Sequence, residues 1–274
     1  MRLSYAPYIL KFKNPAGTSR GVLLNKPTYI LKIWDENNPE IFGLGEASVF
    51  PGLSPEANGR YEYKIVELLS NIALGRPTDL AHYSSLQLGL EQAIRDYVGG
   101  GKGIYFPSSF TEGEKEITIN GLVWMGSFEE MLDRVEEKVL EGFHCIKLKI
   151  GAIDWEKEKA LIEGLRLRFS KNELMIRVDA NGGFSPENVM SRLDFLANLD
   201  VHSIEQPLKK GLLNETAEIC KVSPIPIALD EELIGICTTE ERQSLLDIIN
   251  PQYIILKPSL CGAFSGTSEW IHLA

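Results

Sequence analysis

The chain has 274 residues, 44% hydrophobic and 24% charged, with a formal net charge of -10. That acidic balance argues against nucleic acid as the main partner, since phosphate binding needs a basic footprint; a small anionic substrate stays open, because a few lysines or a metal reverse the field inside one cleft. No run is long enough to span a bilayer, no signal-peptide core follows Met1, and the four scattered cysteines (Cys145, Cys220, Cys237, Cys261) make no zinc or disulfide pattern, so a reducing cytoplasm is the expected compartment.

Residues 1–114 read as a small α+β unit, strands first and helices second. Leu3 to Phe12 has strand character, and Asn14 to Gly21 has loop composition. Tyr29–Trp34 and Ile41–Gly45 form a hairpin around Glu36-Asn37-Asn38-Pro39, and helical patterns cover Glu56–Ala73 and Ser84–Val98. The loops at Ser19-Arg20 and Phe50-Pro51-Gly52 either cover a site elsewhere or are plain connections. Val98-Gly99-Gly100-Gly101-Lys102-Gly103 lacks the upstream Gly and the following Ser or Thr of a phosphate loop, and reads as a connection.

From residue 115 to 274 strands and helices alternate. The strands are Ile117–Trp124, His144–Ile150, Leu174–Asn181, Val201–Gln206, Ile227–Asp230 and Gln252–Lys257. The helices begin at Ser127 (with Glu130 as a capping box), Asp154, Pro186, Glu215, Thr239 and Gly266. Short connections imply parallel strands joined by right-handed crossovers, hence a (β/α) TIM-type barrel with about six of its eight units present.

Side chains alternate between the faces of a strand. Lys147 and Lys149 share one face of the second strand, and Arg177, Asp179 and Asn181 one face of the third. The fourth ends in Glu205, the fifth in Asp230 and the sixth in Lys257. In a barrel the aliphatic face packs under helices, so these ionisable groups converge at the carboxyl-end mouth. Three carboxylates repel there unless they hold a proton or a hard cation, and an all-oxygen set suits Mg²⁺, with Mn²⁺ as a substitute. A lysine titrates near 10.4, and a nearby cation or desolvation lowers it toward the working pH for acid–base work. The chemistry that follows is removal of a proton next to a carboxylate.

Lys-x-Lys (Lys147, Lys149), Val-Asp-Ala-Asn (Asp179), Ile-Glu-Gln-Pro (Glu205), Ala-Leu-Asp-Glu (Asp230) and Leu-Lys-Pro (Lys257), in that order, resemble the enolase superfamily. Within it, the pattern looks like the muconate-lactonising subgroup and most like the o-succinylbenzoate synthases of menaquinone biosynthesis. The resemblance spans nearly the whole chain, including Thr18-Ser19-Arg20-Gly21 in the capping part. It implies that Asp179, Glu205 and Asp230 bind Mg²⁺, as is general for enolase-type sites. It implies Lys149 as the base, Lys257 as the cation on the other face of the substrate, and Lys147 as a carboxylate contact. Ser19, Arg20, Arg177, Asn181, Ser265 and Gly266 are the candidate substrate-binding positions; Ser265 and Gly266 either meet the succinyl end or form a plain turn. The four histidines fall at no expected catalytic position. The implied reaction is a syn elimination of water from a cyclohexadiene carboxylate bearing a succinyl arm.

The pattern stops at Ala274, in the sixth helix. An eight-stranded barrel would be left with two exposed edges, so the expectation is a truncated version of a longer protein, the alternative being a homo-oligomer whose partner covers the gap. A dipeptide epimerase or N-acylamino-acid racemase uses the same two lysines and stays open, as does a catalytically incompetent fragment.

Overall fold

The computed structural model describes residues 1–18 and 21–274. Strands β1 (Arg2–Thr18), β2 (Gly21–Asp35) and β3 (Asn38–Ser48) form an antiparallel sheet in the order β1-β2-β3. The segment expected as a loop from Asn14 is instead mostly strand: β1 resumes its pairing after a register shift between Lys11 and Ala16. Cross-strand pairing overrides loop-like composition there, and it carries a long hairpin outward. Ser19 and Arg20 lie outside the described residues.

Helices α1 (Tyr61–Ala73) and α2 (Ser84–Val98) pack on this sheet. Helix α2 covers the edge of β3: Leu44 N donates to Asp96 Oδ2 at 2.9 Å and Glu46 N to Gln92 Oε1 at 2.8 Å. Backbone groups that would otherwise recruit another strand are thereby satisfied. The approach needs glycine, because a Cβ on Gly45 would stand 1.9 Å from Gly89 O and one on Gly43 1.9 Å from Ala93 O. Leu31, Ile33, Ile65, Leu68 and Leu86 centre the first core, with a run of tilted tyrosine rings, Tyr5, Tyr29, Tyr61 and Tyr83, along it.

The second sheet has six parallel strands in sequential order: β4 (Gly121–Val123), β5 (Cys145–Lys149), β6 (Met175–Asp179), β7 (Ser203–Glu205), β8 (Ile227–Leu229) and β9 (Tyr253–Ile254). Helices α3 (Phe128–Leu140), α4 (Trp155–Arg168), α5 (Val189–Asn198), α6 (Leu213–Val222), α7 (Thr239–Ile249) and α8 (Ala263–Leu273) follow the strands in turn. This is a mixed α/β fold with six consecutive units of a (β/α) barrel. Ile146, Leu148, Ile176, Val178, Ile204, Ile227 and Leu229 are buried under the helices, each such side chain contributing about 1.5–3 kcal/mol by leaving water.

The capping box at Ser127 and Glu130 forms as its spacing predicts, and Thr238 with Glu241 makes a second one. Several boundaries differ from the sequence reading; β4 is Gly121–Val123 rather than Ile117–Trp124, and α1 starts at Tyr61 rather than Glu56. Pro186 sits in a turn closed by Ser185 and Asn188, so α5 begins three residues later. Strand β9 is two residues long, and Lys257 stands in the turn beyond it. Helix α8 starts at Ala263, three residues earlier than expected. No described helix is long and apolar enough to cross a membrane.

Candidate active site

The pairing register assembles the mouth of the parallel sheet. Lys149 pairs with Asp179, and Asp179 with Glu205, so the three lie in one row across β5, β6 and β7. Asp230 follows the end of β8, its N–H donating to Gln206 Oε1 at 3.1 Å. Gln206 is buried and holds four contacts there. Its Oε1 also accepts from Glu232 N at 3.3 Å, and its Nε2 donates to Leu208 O at 2.9 Å and Glu232 Oε2 at 3.3 Å. Asn181 and Gln206 both adopt left-handed backbone, with φ of 43° and 39°, a conformation Asn tolerates and Gln adopts at a cost. Two strands thus turn sharply right after their carboxylates.

All three carboxylates are buried, and each meets a lysine. Lys147 contacts Glu205 and lies 3.3 Å from Asp179 Oδ2. Lys149 contacts Asp179 and donates to Asn181 Oδ1 at 2.9 Å. Lys257 contacts Asp230. Asn181 in turn donates from Nδ2 to Glu231 Oε1 at 3.1 Å. Burial, with Asp179 and Asp230 adding repulsion, pushes the Glu205 carboxyl up to about 8 despite Lys147. Burial also opposes ionisation of Asp179, but Lys149 and Lys147 outweigh it and its pKa falls. For Lys147 and Lys257 the facing carboxylates outweigh the desolvation that by itself lowers a lysine, so both pKa values rise and ammonium groups face the acids.

For the same reason the acids do not converge on an open point. Among the described residues no three His, Cys, Asp or Glu side chains form a ready-made metal-ligating group. Asp179 and Glu205 nevertheless share Lys147, Asp230 acts on Glu205 through space, and Asp230 Oδ1 is buried without a hydrogen-bond partner. An all-oxygen set with a lone acceptor and an acid raised by its neighbours fits a hard divalent cation.

The cluster opens into a cavity of about 700 Å³. Its lower wall carries Lys147, Lys149, Asp179, Asn181, Glu205 and Lys257; Trp124, Met125 and Leu260 line its sides; Leu10, Phe12, Leu23 and Lys26 of the β1–β2 hairpin close it from above, with Phe50 and Leu53. The Phe50 segment therefore does reach the site, as one of its two readings had it. The hairpin residues and Trp124, whose ring centroid is 5.9 Å from Lys149 Nζ, went unnoticed because apolar residues on an exposed hairpin resemble any β-strand.

Arg177, Asp230, Ser265 and Gly266 do not line this cavity. Arg177 lies beside Lys147 and Ser203 in the register, two residues before Asp179 and so about 6–7 Å further down the barrel. Ser265 and Gly266 occupy the first turn of α8, which faces α2: Ser265 Oγ donates to Glu91 Oε1 at 2.6 Å, and Phe264 and Ser265 N–H groups reach Glu91 Oε2 at 2.9 and 3.1 Å. The early start of α8 turns them to that contact.

The sequence profile described as "Enolase C-terminal domain-like" matches residues 130–274, more than half of the chain. The chain belongs to the enolase superfamily. Over its whole length it is 42% identical to the o-succinylbenzoate synthase of Desulfotalea psychrophila, covering 83% of that protein. The crystal structure of MenC from the same organism matches with a TM-score of 0.87 at 38% identity, over 100% of this chain and 83% of that one. The o-succinylbenzoate synthase of Thermosynechococcus elongatus, solved with Mg in its active site, shares the fold: TM-score 0.78, 21% identity, 99% of this chain and 81% of that one.

Proposed function

We propose that the chain dehydrates a succinyl-bearing hydroxycyclohexadiene carboxylate to o-succinylbenzoate, a step of menaquinone biosynthesis. One observation carries the reaction class: Lys149 and Lys257 stand at the two ends of a row whose middle members are Asp179, Glu205 and Asp230. Full-length identity to an o-succinylbenzoate synthase favours the lyase over the epimerases.

Asp179, Glu205 and Asp230 would hold Mg²⁺, which supplies positive charge to a substrate carboxylate as its α-carbon loses a proton. Lys149, as the base, takes that proton at Nζ. Asn181 and Trp124 fix its position. The same Nζ then gives the proton to the departing hydroxyl, so water leaves and Lys149 returns to its starting state; use of one group for both transfers makes the elimination syn. Lys257 keeps its charge throughout, and its ammonium stabilises the electron-rich ring by a cation–π contact. Lys147 stays protonated against Glu205 and meets the substrate carboxylate, a role its contact with Glu205 at the cavity wall supports. The apolar hairpin excludes water from above.

The test is an assay of the purified chain with Mg²⁺ against the cyclohexadiene acid and a set of dipeptides. Appearance of the aromatic product is the expected result. Solvent deuterium entering a dipeptide α-carbon, with no aromatic product, would replace the lyase with an epimerase.

A further inference from the structure

We propose that Lys26 recognises a second, remote carboxylate of the substrate and so sets the preference for a diacid; this rests on the function proposed above. Five lysines line the cavity: Lys11, Lys26, Lys147, Lys149 and Lys257. The last three are each committed to an acid at the strand ends. Lys26 is not. Its one ion-pair partner among the described residues, Glu46, is 3.9 Å away and already accepts from Thr28 Oγ1 at 2.9 Å.

Lys26 is also held in place. Its side chain is 17% exposed, and Nζ sits 4.4 Å from the centroid of the Phe50 ring, itself part of the cavity wall. A ring face under an ammonium orients the group and strips part of its water. Lys26 pairs with Leu10 across the hairpin, and directly opposed residues share a face; Leu10 lines the cavity too. Lys11 pairs with Asn25, is exposed and stacks on no ring among the described residues, which makes Lys26 the better-positioned cation.

The charge balance of the cavity points the same way. A substrate whose reacting carboxylate sits at the strand ends extends toward the hairpin past Leu53, Trp124, Met125 and Leu260. An anionic arm stranded among those side chains would be costly, and a pre-oriented ammonium above them removes that cost.

Steady-state kinetics of the whole chain and of Lys26→Met, Lys26→Gln and Lys26→Arg, each with the diacid and with the methyl ester of its succinyl carboxylate, test the assignment. Lys26→Met should raise KM for the diacid by about 10- to 100-fold with a much smaller change in kcat. Lys26→Arg should recover most of the loss, and the ester should not distinguish Lys26→Met from the unaltered chain. Lys26→Gln gives the same reading if the methionine variant misfolds. Equal losses on diacid and ester, or a loss confined to kcat, would overturn the role of Lys26. An unaltered chain that converts neither compound would instead overturn the proposed function, and the role of Lys26 with it.

Discussion

The parallel and antiparallel sheets solve opposite problems. In the parallel sheet Ile146, Leu148, Ile176 and Val178 of β5 and β6 are sealed under helices, and the three acids with their lysines gather toward the strand ends. In the antiparallel sheet the hairpin arms carry large apolar side chains into the open, with Tyr8, Ile9, Leu10, Phe12, Val22 and Leu24 all exposed. Where the two sheets face each other, the first supplies charge and the second an apolar cover. Reaction and selection are therefore expected to separate, with strand-end substitutions changing rate and hairpin substitutions changing which substrate is held.

The sharpest way to break that division is at Lys149. Lys149→Ala should lower kcat by about 10³-fold or more, the loss expected for a residue that both takes and returns the proton. Mg²⁺ affinity, read by calorimetry, should stay near that of the unaltered chain. Near-normal turnover would remove Lys149 as the base. Glu205→Gln comes next and should act on both quantities, weakening Mg²⁺ binding by about 10- to 100-fold and turnover with it, since a neutral amide is a poorer ligand than a carboxylate. Unchanged Mg²⁺ affinity in that variant would place the cation elsewhere.

Much of the strand-end row is legible in the sequence because two periodicities coincide there. Ile146, Leu148, Ile176 and Val178 mark the helix-covered face, so Lys147, Lys149 and Asp179 must take the other. Parallel register then brings Lys149, Asp179 and Glu205 level without any sequence neighbour to announce it. The pairing partners were less legible. Whether an acid faces a cation or a lysine depends on side-chain reach, and here Lys147, Lys149 and Lys257 all reach an acid. The same limit applied to Ser265, whose fate was decided by Glu91, 174 residues earlier in the chain. The long hairpin was hidden for a different reason: Asn14-Pro15-Ala16-Gly17 has turn composition, and only long-range pairing to β2 makes strand of it.

A substitution far from the charged row tests whether the cover depends on its own support. Gly45→Ala would drive a methyl group into the Gly89 carbonyl, so α2 must move off β3. Overpacking of this kind costs about 1–3 kcal/mol, and a backbone obstacle puts Gly45→Ala toward the upper end. Denaturant unfolding should show the loss. Helix α2 also holds the first turn of α8 through Glu91, so displacement should be felt beyond the antiparallel sheet. A neutral Gly45→Ala would mean that α2 is free to shift without strain.

The smallest expected effect isolates burial from catalysis within the parallel sheet. Glu158 on α4 is 1% exposed, and its Oε1 accepts from Ala152 N at 3.1 Å and Ile153 N at 3.2 Å, while Oε2 has no hydrogen-bond partner. Burial raises its pKa above the ordinary 4.5, against the pull of the backbone N–H donors and Arg192. Between the ordinary and the raised value the folded chain binds more protons than the unfolded one, so stability falls as pH rises through that window. Glu158→Gln keeps an oxygen for the two backbone donors and has no charge to bury. It should match the unaltered chain at pH 4 and gain stability over it as pH rises toward neutrality. Urea unfolding at a series of pH values reads this directly; a difference that stays constant with pH would mean that Glu158 is ionised as readily in the folded chain as in the unfolded one.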